Sequence, residues 1–493
     1  QWKLYSRFDR AAIEKYVSPK AKHYDNIAFT YFLQYHLHLQ LTAAVEYAHK
    51  HGVVIKGDIP IGAYRYGCDV WMEPEFFSLE WQSGAPPDAF SEKGQNWGFP
   101  IYNWDRMSQD NFDWHRRRLT QMEKYFDAFR IDHILGFFRI WSIPADQTQG
   151  VMGRFIPAIP VQLYEFEQRG IWFDYERFCR PYITDEVLWE RFGPNKDKFI
   201  PFLEPSTEGH YQFKTAFDTQ HQVEEYFKGL DDTEDNSRIQ EGLLALLTNL
   251  ILFERRGSGG RLFDFRLGIE NTSSFRRLDE NLQRRLMELY IDYFYRRQDH
   301  FWERQAMKKL PALKQATNML AFGEDLGMVP RCVPEVMKRL AILSLEVQRM
   351  PKDMGKAFSD PADAPYLSVV TPSTHDMSVI RAWWEEDKER TQRFFNEALG
   401  MEGEAPAQCS AEINTAIVRR HLASPAMWSI FQWQDLVGME EEVRRENPEE
   451  ERINRPENAQ HYWNYRMHIS LENLLKEKEF NEKLKVFIEE SGR

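Results

Sequence analysis

The chain has 493 residues, too many for one small core, and its 42% apolar and 28% charged content is ordinary for a soluble globular protein. Two or three domains, or one large barrel with insertions, are expected. A net charge of −13, from 63 basic and 76 acidic residues, argues against nucleic acid or an anionic membrane as the main partner and suits a neutral one.

Aromatic residues make up 14% of the chain, 15 of them Trp, which fits either flat platforms for sugar rings or a large aromatic core. Cys68, Cys179, Cys332 and Cys409 lie far apart with no CxxC spacing. That excludes a zinc ribbon or disulfide framework and suits a reducing, cytoplasmic compartment. The longest apolar run, "GLLALLTNLILF" from Gly242 to Phe253, is too short to span a bilayer and is expected to be a buried helix entering a strand.

In chain order, "AFTYFLQYHLHLQLTAAVEYAHK" (Ala28 to Lys50) has apolar residues at helical spacing, a basic last turn, and Gly52 placed to cap it. "VVIKGDIPIG" follows as a β-branched strand ending at Asp58. The helical segment "FDWHRRRLTQMEKYF" (Phe112 to Phe126) leads into "FDAFRID", a strand ending at Asp132. "RRGSGGRL" (Arg255 to Leu262), between "LILFE" and "LFDFRLG", is a hairpin turn rather than a phosphate loop. "NMLAFGEDLG" is a strand ending at Glu324, followed by the helix "VPEVMKRLAI", and "YLSVVTPSTHD" is a strand ending at Asp376.

Short, nearly continuous apolar strands alternating with helices indicate a parallel sheet covered on both faces. Acidic residues gathered at strand C-termini mark the active-site end of a (β/α)₈ (TIM) barrel. A doubly wound sheet also binds ligands there, but no GxGxxG or P-loop supports it. Retaining chemistry at a glycosidic bond needs a nucleophilic carboxylate and a protonated carboxylic acid about 5 Å apart. Asp132, kept ionised by Arg130, suits the first role. Glu324, emerging from an apolar strand, suits the second. Singly, each feature has a plain structural alternative: Arg130 and Asp132 as a buried ion pair, Asp325 as a helix cap, His133 and His375 as core histidines.

In this order, "KGDIPIGAYRYGCDVWMEPEFF", "GQNWGFPIYNW", "FRIDHILGFFRIWSIP", "FGEDLGMVP", "TPSTHD" and "QWQDLVGMEEEVRRENPEEERINRP…YWNYRM" resemble glycoside hydrolase family 77, the 4-α-glucanotransferases. The resemblance covers roughly residues 28–145 and 318–470. It implies an α/β fold, a TIM barrel, and transfer of glucosyl or maltooligosyl units between α-1,4-glucans. Asp132 is then the nucleophile, Glu324 the acid/base, and Asp376 the third carboxylate that stabilises the transition state. Arg130, His133 and His375 flank them, Asp58 sits at the end of the third barrel strand, and Gln95 and Trp97 line the glucan path. "GAPPDAFSEKG" (Gly84 to Gly94), with Asp88, matches the family's mobile loop. The resemblance implies neither metal nor organic cofactor, and α-glucans such as maltose, maltodextrin and glycogen or starch as partners. The rivals are an α-glucan hydrolase on the same barrel and a catalytically inactive glucan-binding protein.

Three departures accompany the resemblance. Many relatives read HDN where this chain reads "HDM" with Met377. A span of 192 residues separates Asp132 from Glu324, several times the interval in simple bacterial amylomaltases. The organisation expected is therefore barrel strands 3–4 in residues 1–145, an insertion in 146–317, and strands 5–8 with C-terminal helices in 318–493. The insertion is similar to that of the plant cytosolic disproportionating enzyme. Finally, only about 28 residues precede the first convincing helix, so the first two barrel strands, which need at least twice that length, are expected to be missing with the rest of an N-terminal part.

Overall fold

The computed structural model describes residues 5–88, 91–207, 209–353, 355–455 and 461–493. Among them are six short parallel strands: β1 (Lys56–Ile59), β2 (Ala128–Ile131), β3 (Leu320–Gly323), β4 (Ser344–Val347), β5 (Ser368–Thr371) and β6 (Trp428–Ser429), of which β1, β2, β3 and β5 carry or precede the acidic positions. They lie side by side in chain order. β1 pairs with β2 and β2 with β3, while β4 pairs with β5 and β5 with β6. Leu343 joins the two triplets: its N–H donates to Ala321 O at 3.0 Å and its carbonyl accepts from Gly323 N–H at 2.8 Å.

Side chains on β2, β3 and β5 are almost all buried, the pattern of strands covered on both faces. β1 stops where Pro60, lacking an N–H, cannot extend the ladder, and β5 stops at Pro372 for the same reason. Two sequence expectations are corrected by this. Val53 and Val54 are exposed and lie outside β1. Asp376 is not at a strand end: β5 closes at Thr371, and Asp376 stands on the segment that follows.

The chain forms two units, one of Gln1–Ile55, Pro60–Phe126 and Leu135–Asn318, the other of Lys56–Ile59, Asp127–Ile134 and Met319–Arg493. The second unit holds all six parallel strands. Ala128, Phe322, Leu343 and Val369 form an apolar cluster across them, and Ile380, Trp383, Trp384, Phe394 and Ile413 form another among its helices.

In the first unit, Trp81–Ala85 pairs antiparallel with Gln95–Asn96 on one side and Ile140–Pro144 on the other. Gly84 permits that close approach, since a Cβ there would lie 2.0 Å from the Gln95 carbonyl oxygen. The expected hairpin is present, Leu252–Glu254 against Leu262–Phe265, and the run before it is a buried helix, Glu234–Leu247. Its Leu243 and Leu246 pack with Val187, Leu188 and Val223 in a core of the unit's own.

The first long helix runs Tyr24–Lys50, with Gly52 closing it at φ 72°. Its apolar residues form no buried stripe: Phe29, Phe32, Tyr35 and Leu37 are exposed and Val45 alone of this helix is buried. Apolar residues occupy seven of the eleven positions of "YFLQYHLHLQL" and fall on all sides, so they ring the helix instead of marking one face. No helix among the described residues is long and apolar enough to cross a membrane.

Candidate active site

The strand register sets the site. Asp58 on β1 and Phe322 on β3 lie opposite Arg130 on β2. Side chains two residues apart on a strand share a face, so Asp132 follows Arg130 and Glu324 follows Phe322 on the same side. The ladder continues just past the strand ends: Asp132 N–H donates to Ile59 O at 3.0 Å, and Glu324 N–H to Ile131 O at 2.9 Å. Both carboxyl groups are thus anchored through their own backbone. Gly323 keeps Glu324 close to its neighbours, because a Cβ there would meet Ile134 at 2.7 Å and Met337 at 2.8 Å.

Arg130 bridges two carboxylates. One guanidinium nitrogen lies 2.9 Å from Asp58 Oδ2 and 2.9 Å from Asp132 Oδ1. Its own pKa is raised, burial opposing but Asp58 and Asp132 outweighing it. Burial raises the Asp58 pKa against the pull of Arg130.

Glu324 has the opposite setting. Its side chain is only 12% exposed, and burial pushes its pKa up to about 7 against Arg130 and a backbone donor. Leu326 N–H donates to Oε1 at 2.9 Å and His133 N–H to Oε2 at 2.9 Å. His133 adopts φ 43°, a left-handed backbone, while its Nδ1 lies 4.0 Å from the same Oε2. A carboxyl group poised near neutrality can give a proton and take one back.

Asp376 is held on both oxygens. His375 Nε2 lies 3.1 Å from Oδ2, and Asn454 Nδ2 donates to Oδ1 at 2.8 Å. Burial would raise its pKa, but His375, Asn454 and Arg130 together hold it below the usual carboxylate range. Asp376 in turn raises the pKa of His375. The departure at Met377 leaves both of these bonds intact. Trp463 places its ring 5.4 Å from that of His375. Sequence reasoning did not single out Asn454 or Trp463. The only signal was their place in "INRP…YWNYRM", far along the chain from Asp376.

Asp58, Arg130, Asp132, His133, Glu324, His375 and Asp376 all belong to the second unit. Asp88, Gln95 and Trp97 belong to the first. There Trp97 Nε1 donates to Gln95 Oε1 at 3.0 Å and Asp88 Oδ1 accepts from Ser91 N–H at 2.8 Å. Residues 89 and 90 of the expected mobile loop lie outside the described residues. Asp325 is no helix cap: it is buried, accepting from Lys352 Nζ at 2.7 Å and Leu345 N–H at 3.0 Å. No group of three His, Cys, Asp or Glu among the described residues is arranged to hold a metal ion, and all four cysteines are free thiols.

The family model for 4-alpha-glucanotransferase, glycoside hydrolase 77, matches residues 1–472. Over 498 aligned residues the chain is 42% identical to 4-alpha-glucanotransferase DPE2 of Oryza sativa subsp. japonica, covering 100% of this chain and 52% of the relative. It is 23% identical to a 4-alpha-glucanotransferase of Chlamydia pneumoniae, with 93% and 60% covered. The chain thus spans about half the length of the curated relatives it matches. Among solved structures it shares the fold of the Streptococcus agalactiae amylomaltase crystallised with acarbose, at TM-score 0.57, 17% identity, 98% of this chain and 65% of that one.

Proposed function

The chain belongs to the glycoside hydrolase 77 family of 4-alpha-glucanotransferases, and from that premise we propose that it transfers glucosyl or maltooligosyl units between α-1,4-glucans by a retaining double displacement. One observation supports this most: beside Asp132, 2.9 Å from the Arg130 guanidinium, stands Glu324, a buried carboxyl group whose pKa is pushed up to about 7. A carboxylate paired with a guanidinium suits the nucleophile, and a buried carboxyl group that holds its proton near neutrality suits the acid.

In the first half-reaction an Asp132 oxygen attacks the anomeric carbon, the glycosidic C–O bond breaks, and the Glu324 proton passes to the leaving oxygen. A covalent glucosyl-enzyme results. In the second, ionised Glu324 takes the proton of an acceptor 4-hydroxyl, whose oxygen attacks the anomeric carbon and releases Asp132. Asp376, kept ionised by His375 and Asn454, holds sugar hydroxyls and offsets the positive charge that develops on the ring. Trp463 beside His375 offers a flat face to a sugar. Gln95, Trp97 and Asp88 contact the glucan chain.

The six parallel strands in chain order are read as part of a (β/α)₈ barrel. Residues 146–317, an aromatic-rich segment joining two catalytic strands, shape donor or acceptor choice. Free thiols at Cys68, Cys179, Cys332 and Cys409 suit a cytoplasmic enzyme.

Incubation with maltose and glycogen tests the reading. Release of glucose matched by lengthening of acceptor chains supports transfer. New reducing ends without lengthening point to hydrolysis, and no product at all to a binding protein.

A further inference from the structure

Asp376 and His375 sit on a segment, not on a strand, and something must fix that segment. Its internal bonds are weak: Met377 N–H reaches Thr374 O at 3.2 Å and Asp376 N–H reaches Thr374 Oγ1 at 3.4 Å. Two ionisable side chains from elsewhere in the second unit bind its ends. Arg349, just beyond β4, donates from Nε to Pro372 O at 2.9 Å and from Nη2 to Ser378 O at 2.7 Å. One rigid guanidinium therefore spans the base of the segment from its first carbonyl to its last.

Asp435 grips the same two ends from another side. Its Oδ1 accepts from Ile380 N–H at 2.8 Å, and its Oδ2 accepts from the Ser373 hydroxyl. Ser373 Oγ also accepts from Gln432 Nε2 at 2.8 Å, so that hydroxyl is committed in direction. Asp435 is 1% exposed, and its main-chain oxygen is held by Asn414 Nδ2 at 2.6 Å.

Burying ionisable groups is costly unless their bonds are satisfied. Here the side-chain bonds of both converge on residues 372–380. Resting on the role proposed above for Asp376, we infer that Arg349 and Asp435 are positioning residues, a two-sided clamp that holds His375 and Asp376 in the reacting geometry. Neither touches the sugar. Small displacements of a reacting group can cost on the order of 100-fold in rate, so loosening the clamp lowers turnover more than it weakens substrate binding.

Steady-state transfer from maltotriose, with melting curves on the full chain, tests this in Asp435→Asn, Arg349→Met, Ser373→Ala and Asp376→Asn. Asp435→Asn and Arg349→Met are expected to lower kcat about 10- to 100-fold with KM within about 3-fold of wild type. Ser373→Ala removes one hydroxyl and leaves Asp435 Oδ2 without that donor, so it lowers the melting temperature modestly while the protein stays folded at assay temperature, and it lowers kcat about 3- to 10-fold. If the two larger changes prevent folding, Ser373→Ala decides the matter alone. The clamp is overturned if folded variants keep kcat within about 2-fold while Asp376→Asn loses over 100-fold, or if kcat falls only with the folded fraction. Wild-type activity in Asp376→Asn instead overturns the proposed site, and the clamp with it.

Discussion

His133 donates its main-chain N–H to Oε2 of Glu324 at 2.9 Å, from a backbone twisted to φ 43°. An L-residue in that region is strained by about 1–2 kcal/mol. The twist turns the chain immediately after Asp132, ending β2 and aiming an N–H at the neighbouring strand's carboxyl group. The strain therefore couples the two groups proposed to do the chemistry. Histidine is among the residues that tolerate this conformation better than β-branched ones.

The bond is made by backbone, so the imidazole should matter less than its place suggests. His133→Gly should keep the bond and relieve the strain, raising stability by about 1 kcal/mol. The basic limb of kcat/KM against pH should stay within about half a unit of wild type. A large shift in that limb would show that the ring at 4.0 Å, not the N–H, tunes Glu324.

Glu324 itself should trade stability for activity. Its folded pKa is about 7 against an ordinary 4.5, so the native state binds the proton more tightly than the unfolded chain does. Stability attributable to this group is present below pH 4.5 and falls as pH rises toward 7. Glu324→Gln removes the loss. It should unfold at higher denaturant than wild type at pH 8, by on the order of 2 kcal/mol, and show little difference at pH 4. Transfer should fall by at least about 1,000-fold. Equal stability of the two proteins at pH 8 would remove the buried-carboxyl account.

Asp132 should behave differently, because its carboxylate is paired. Asp132→Asn leaves Arg130 bound to Asp58 and should leave folding largely intact. It should abolish transfer, by about 10,000-fold or more, since the amide cannot attack the anomeric carbon. Circular dichroism and binding of a maltooligosaccharide separate a folded, inactive variant from a misfolded one. Near-normal transfer by a folded variant takes Asp132 out of the mechanism.

What could be read from the sequence follows from range. Asp132 and Glu324 follow short apolar strands, a local pattern, and the residues two positions back fix their face; Asp58 lies inside the short, partly polar β1 instead of closing an apolar run. Asp376 looked the same but is not. Pro372 ends β5, and the following segment is held by Arg349, Asp435 and Asn454, contacts that lie 23 to 78 residues away and leave no local signature. The helix Tyr24–Lys50 failed in the other direction. Its helical character was legible, but a ring of apolar residues does not say which of them, if any, will be buried.

Asn454 gives the last test, because it is an uncharged donor to the Asp376 carboxyl group. Asn454 Nδ2 donates to Oδ1, favouring the ionised carboxyl group and lowering its pKa alongside His375. Removing the donor must therefore move that pKa upward. In Asn454→Ala the acid limb of kcat should shift to higher pH by about half a unit to one unit, and kcat at its optimum should fall about 10-fold. Asn454→Asp should be worse near neutrality, because a second carboxylate facing Oδ1 adds repulsion to the lost donor. If both variants keep the wild-type acid limb, the carboxyl group that sets it is not Asp376, and the electrostatic role proposed for Asp376 is to be given up even should its mutation abolish transfer.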